Sequence, residues 1–70
     1  VFWWFERAGV YTRYEILELG DGSYELRVFD PDGTEHVERF KNTDDLASRQ
    51  RALEAQLRAD GWTGPHGWVL

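Results

Sequence analysis

Seventy residues, a net charge of −5 and no cysteine narrow the choices at once. A chain this short reads as a single domain over residues 1–70, with a marginal core, since such domains bury only about 60% of the surface their unfolded chains expose. Disulfides and thiolate metal sites are excluded, and no apolar stretch nears the roughly 20 residues of a membrane-spanning helix.

Small domains usually need a further source of stability. Four Trp, four Phe and three Tyr supply one, because each buried ring removes a large area from water. Self-association would supply another. His36 and His66 are the two histidines and lack the paired spacing of a metal site, so neither metal nor cofactor is expected. The acidic balance weighs against nucleic acid and anionic membranes as partners. No basic-then-apolar leader pattern is visible, and a cytoplasmic setting is expected.

In chain order, the first element is a strand over residues 2–7, opening with Phe2-Trp3-Trp4-Phe5. Ala8-Gly9 turns the chain into a second strand, residues 10–19. Gly20-Asp21-Gly22 leads to a third, 23–30, and Asp30-Pro31-Asp32-Gly33 to a fourth, 34–40. All four are rich in aromatic or β-branched residues, and short loops join sequential antiparallel hairpins. Asn42 or Thr43 caps a helix over 44–60, with Asp44 and Asp45 at the positive end of its dipole. Leu46, Gln50, Leu53 and Leu57 form its inner stripe; Arg49, Arg51, Glu54 and Arg58 lie mostly off it. Gly61 reads as the left-handed residue past the end, folding Trp62 back onto Leu57. Residues 62–70 read as an irregular tail, apolar enough to dock. The fold expected is α+β: a four-stranded antiparallel meander in the order 1-2-3-4, with one C-terminal helix on one face.

Register decides which side chains share a face. A three-residue loop at Gly20-Asp21-Gly22 sets Tyr14 opposite Val28, Glu15 opposite Arg27 and Ile16 opposite Leu26. A two-residue loop would oppose Glu18 to Glu25, a repulsive pair. The core face then carries Tyr14, Ile16, Tyr24, Leu26 and Val28. The other carries Arg13, Glu15, Leu17, Glu25, Arg27 and Phe29. For the last hairpin an even loop at Asp32-Gly33 is expected. It would bring Val37 to the core and pair Arg27 with Glu38, whereas an odd loop would send Phe40 inward instead.

Alternation sends two of the opening rings to each side. One helix covers one face of a four-stranded sheet. Either Trp3 and Phe5, or Phe2 and Trp4, therefore join Leu17 and Phe29 on the uncovered face. An apolar patch of that kind usually marks a binding surface. Trp68, Val69 and Leu70 of the tail could fold over it, a partner could, or a ligand could stack on its rings.

Other candidates are weaker. His36 could act as a general base near neutrality, but Glu35 and Glu38 beside it form no recognisable triad. His66, in Gly64-Pro65-His66-Gly67-Trp68, could line a pocket. Asp44 and Asp45 belong to the helix dipole, and Asp21 and Asp32 to turns. Gly20-Asp21-Gly22 is too short for a phosphate loop. No catalytic residue is assigned.

In element order, four strands followed by a helix resembles the repeat unit of the Whirly and PUR single-strand-binding families. That resemblance carries over no functional residue. The stretches Val28-Phe29-Asp30-Pro31-Asp32-Gly33-Thr34 and Gly61-Trp62-Thr63-Gly64-Pro65-His66-Gly67-Trp68 resemble small uncharacterised bacterial proteins, which implies no activity.

The function expected is a non-enzymatic protein-interaction module, a homodimer joined through the uncovered sheet face or an edge strand. Its contacts would come from Phe2, Trp3, Trp4, Phe5, Leu17 and Phe29, with Arg13 and Arg27 at the rim. The alternative is a single-stranded nucleic-acid-binding domain, with the same rings stacking on bases and Arg13, Arg27 and Arg39 meeting phosphates.

Overall fold

Two of the turns use the same chemistry, and it sets the register of the sheet. In the computed structural model, which describes residues 2–68, β2 (Val10–Glu18) and β3 (Tyr24–Phe29) are joined through Gly20-Asp21-Gly22. The Gly22 N–H donates to Leu19 O at 3.1 Å, and the Leu19 N–H to Ser23 O at 2.8 Å. Gly22 has φ +86°, and Asp21 Oδ1 accepts the Ser23 N–H at 3.0 Å. The outcome is the expected register, with Tyr14 opposite Val28 and Ile16 opposite Leu26.

The β3–β4 hairpin repeats this device, and corrects the even loop. β4 (Glu35–Phe40) follows Pro31-Asp32-Gly33. The Gly33 N–H donates to Asp30 O and the Asp30 N–H to Thr34 O, both at 2.9 Å. An even loop would make Pro31 close the hairpin opposite Thr34, and proline has no N–H to do so. Proline instead fits the first central position of the turn, where its fixed φ is an advantage. The odd loop pairs Tyr24 with Phe40, Leu26 with Glu38 and Arg27 with Val37. Phe40 therefore packs against the core, while Val37 is 49% exposed. The expected Arg27–Glu38 pair does not form; Glu38 meets Arg49 of the helix at 3.1 Å.

β1 (Phe2–Arg7) pairs antiparallel with β2, with Trp3 opposite Tyr14 and Phe5 opposite Thr12. The tail corrects the four-strand meander. Residues Thr63–Trp68 form β5, antiparallel to the free side of β1, and the sheet order is β4-β3-β2-β1-β5. The tail thus docks on the edge of the sheet by backbone pairing. Val69 and Leu70, expected to help cover the sheet face, lie outside the described residues.

The helix α1 (Thr43–Ala59) starts at Asn42, whose side chain accepts the Asp45 N–H at 2.8 Å. It ends as expected. The Trp62 N–H donates to Leu57 O, the Gly61 N–H to Arg58 O, and Gly61 has φ +90°. These paired bonds satisfy carbonyls that the helix leaves open. Arg7 reinforces the same end: its Nη1 donates to Asp60 O at 2.8 Å, and its guanidinium lies 4.6 Å from the Trp62 ring centre. A cation there suits the helix dipole.

The core lies between α1 and one sheet face. Phe5, Tyr14, Leu26, Leu46 and Leu53 are buried, with Trp3, Ile16, Tyr24, Val28, Phe40, Leu57 and Trp62 packed around them. Tyr14 carries the central polar contact. Its hydroxyl donates to Glu54 and accepts from Gln50 Nε2 at 2.9 Å. Glu54 thus turns toward the sheet, closer to the core than its place beside the leucine stripe implied. Burial, helped by the Glu54 carboxylate, pushes the Tyr14 hydroxyl well above the ordinary tyrosine range. No helix among the described residues is long and apolar enough to cross a membrane.

Candidate functional site

The β1–β2 register resolves the choice between the two aromatic pairs. Trp3 stacks on Tyr14 with ring centres 5.1 Å apart, and Phe5 is fully buried under the helix. These two belong to the core, which removes them from the expected contact surface. Phe2 and Trp4 therefore face the other way, with Tyr11, Arg13, Glu15 and Leu17 of β2 and Glu25, Arg27 and Phe29 of β3. No element among the described residues packs across this face.

The face divides into an aromatic part and a charged part. The aromatic part takes residues of β1 and β2 and Phe29 of β3. Trp4 stacks on His66 of β5 at 4.3 Å and meets Tyr11 at 5.7 Å, tilted by 58°. The Arg13 guanidinium lies 4.4 Å from the Phe29 ring centre. Phe2, Trp4, Tyr11, Arg13, Phe29 and Pro31 are among the residues around a shallow depression of about 450 Å³. Tyr11 is 56% exposed. The expected contacts leave it out, yet its alternation with Arg13, Glu15 and Leu17 along one strand places it on their face.

The charged part, mainly on β3 and β4, is a lattice of ion pairs. Glu25 is only 4% exposed. Arg27 Nε lies 2.5 Å from its Oε1, and Arg39 Nε 3.5 Å from its Oε2. Arg27 also lies 3.9 Å from Glu35, and Arg13 3.9 Å from Glu15. The Arg27 hydrogen bond holds the Glu25 carboxyl below the usual carboxylate range, and Glu25 raises Arg27 in return. Leu17 sits at the corner beside Glu25. Arg27 is therefore part of this lattice, while Arg13 sits inside the aromatic half.

The other candidates are also placed. His36 Nε2 lies 2.7 Å from Asp30 Oδ2 at the edge of the sheet, and His66 is held against Trp4. The two rings belong to strands at opposite edges, β4 and β5, so they share no site. Among the described residues no three His, Asp or Glu gather to hold a metal ion. Asp21 and Asp32 accept bonds from Ser23 and Thr34, which hold both carboxyls below their ordinary range.

No protein-family model, curated protein or solved structure matches the chain.

Proposed function

We propose that this chain is a non-enzymatic protein-interaction module that self-associates through sheet surfaces its single helix leaves uncovered. One observation carries the proposal: Phe2, Trp4, Tyr11 and Phe29 lie together on the face opposite the core, around an open depression. Rings held in fixed geometry on a sheet offer contact area at little entropic cost, and aromatic residues and arginine are enriched at such contacts. Interfaces of standard size bury about 800 Å² per partner, a modest share of the 4740 Å² this chain exposes.

The nucleic-acid alternative has less support. Arg13, Arg27 and Arg39 each lie within 4.0 Å of a carboxylate. A phosphate would have to displace these pairs and approach Glu15, Glu25 and Glu35. Sedimentation velocity over a wide concentration range tests the proposal. A concentration-dependent shift toward dimer supports it; a monomer at every concentration overturns it. Titration with short oligonucleotides at low salt tests the alternative, since phosphate binding is salt-sensitive; no binding there removes it.

A further inference from the structure

The two ends of the sheet are not alike. β5 contains Pro65, which offers no N–H, and its register against β1 shifts between Trp4 and Glu6. Such features blunt an edge. β4 has neither: its six residues pair in unbroken register with β3. The closing bond from Asp30 N–H to Thr34 O fixes which groups point where. Hydrogen-bonded and non-bonded pairs alternate along an antiparallel ladder. Thr34, His36, Glu38 and Phe40 therefore face β3. Glu35, Val37 and Arg39 direct their N–H and C=O groups outward.

Resting on the self-association proposed above, we infer that β4 pairs antiparallel with β4 of a second copy, about a two-fold axis through Val37. In this register Glu35 lies opposite the partner's Arg39, and Arg39 opposite the partner's Glu35. His36 lies opposite the partner's Glu38, and Val37 meets the partner's Val37. Every outward N–H and C=O of Glu35, Val37 and Arg39 then finds a partner. Neighbouring registers lose this match. Centring on Glu38 sets two carboxylates together, and centring on His36 opposes two histidines and leaves Glu35 against Val37. The strand Glu35-His36-Val37-Glu38-Arg39 is self-complementary in charge in one register only. Like charges directly opposite are destabilising and opposite charges favourable, so the charges that discourage foreign strands select a second copy. The side chains are accessible: Arg39 is 75% exposed, His36 60% and Glu35 43%.

The test is a charge swap on the full chain, read by sedimentation velocity. Wild type associates. E35R alone and R39E alone each place like charges opposite one another twice per dimer, and each weakens association by about tenfold or more. An equimolar mixture of the two variants places opposite charges together again and recovers association, which separates a register effect from misfolding. V37P removes an N–H that β3 does not use, and abolishes dimer while the circular-dichroism spectrum stays that of wild type. A wild-type monomer at every concentration overturns both self-association and this register. A dimer that survives E35R, R39E and V37P but dissociates in F29E keeps the self-association and overturns the β4 pairing.

Discussion

Gly64 is where β5 is seated, and its replacement by alanine probes the strand most directly. A Cβ built there lies 2.8 Å from Phe5 Cδ1 and 3.0 Å from Trp4 O. Neither neighbour can yield cheaply, because Phe5 is fully buried and Trp4 O is backbone. Gly64 also has φ +140°, a conformation that costs an L side chain about 1–3 kcal/mol. Overpacking adds about 1–3 kcal/mol, so Gly64→Ala is expected to destabilise by about 2–6 kcal/mol. At about 4–8 °C per kcal/mol for a domain of this size, the mid-range cost of about 4 kcal/mol lowers Tm by about 16–32 °C. Gly22→Ala is the control. Gly22 has φ +86° with nothing within 4 Å of its added methyl, and a cost of about 1–2 kcal/mol is expected from strain alone. Urea unfolding of both variants, with Tm by circular dichroism, separates strain from clash. Equal costs for the two variants would refute the close seating of β5 on Phe5.

Stability is expected to fall with alkali. Tyr14 is raised in the folded chain, so above about pH 10 the unfolded state loses a proton that the native state keeps. The slope approaches a loss of about 1.4 kcal/mol per pH unit. Urea midpoints between neutral and alkaline pH check this, and Tyr14→Phe should remove that contribution while costing about 1 kcal/mol at neutral pH. Ala8, at φ +51° beside Gly9 at φ +80°, occupies the first central position of a turn that favours asparagine. Ala8→Asn is expected to stabilise by about 0.5–1 kcal/mol, seen as a rise in Tm.

Where local chemistry leaves one option, the fold could be read directly. The β2–β3 register follows from the repulsion that Glu18 and Glu25 would suffer in the even alternative. The helix end follows from Gly61 and Trp62. The β3–β4 loop is equally decidable, because Pro31 cannot close a two-residue hairpin. The parity of the opening rings was also within reach. A two-residue turn at Ala8-Gly9 sets Trp3 beside Tyr14, a residue already assigned to the core, which leaves Phe2 and Trp4 outside. β5 is different. Thr63-Gly64-Pro65-His66-Gly67 contains residues depleted in strands, and its extended form depends on the free side of β1, a partner far away in sequence.

The two halves of the uncovered face impose different demands on the chain. On β3 and β4 the charged groups have opposite neighbours, so that side is stable against water by itself. Around Trp4, Tyr11 and Phe29 rings pack mainly on rings and on Arg13, and apolar area remains exposed. Covering two rings gains a few kcal/mol at about 25 cal/mol per Å², against a total net stability of about 4–10 kcal/mol for a domain of this length. Association and folding are therefore coupled: whatever binds only the native state raises its apparent stability by mass action. Under self-association, Tm must climb as the protein is concentrated; a charge swap at β4 flattens that slope if the β4 edge carries the contact, and Phe29→Glu flattens it if the aromatic half does. Differential scanning fluorimetry across protein concentrations reads it, and a Tm that stays flat would show that the native state gains nothing from a second copy.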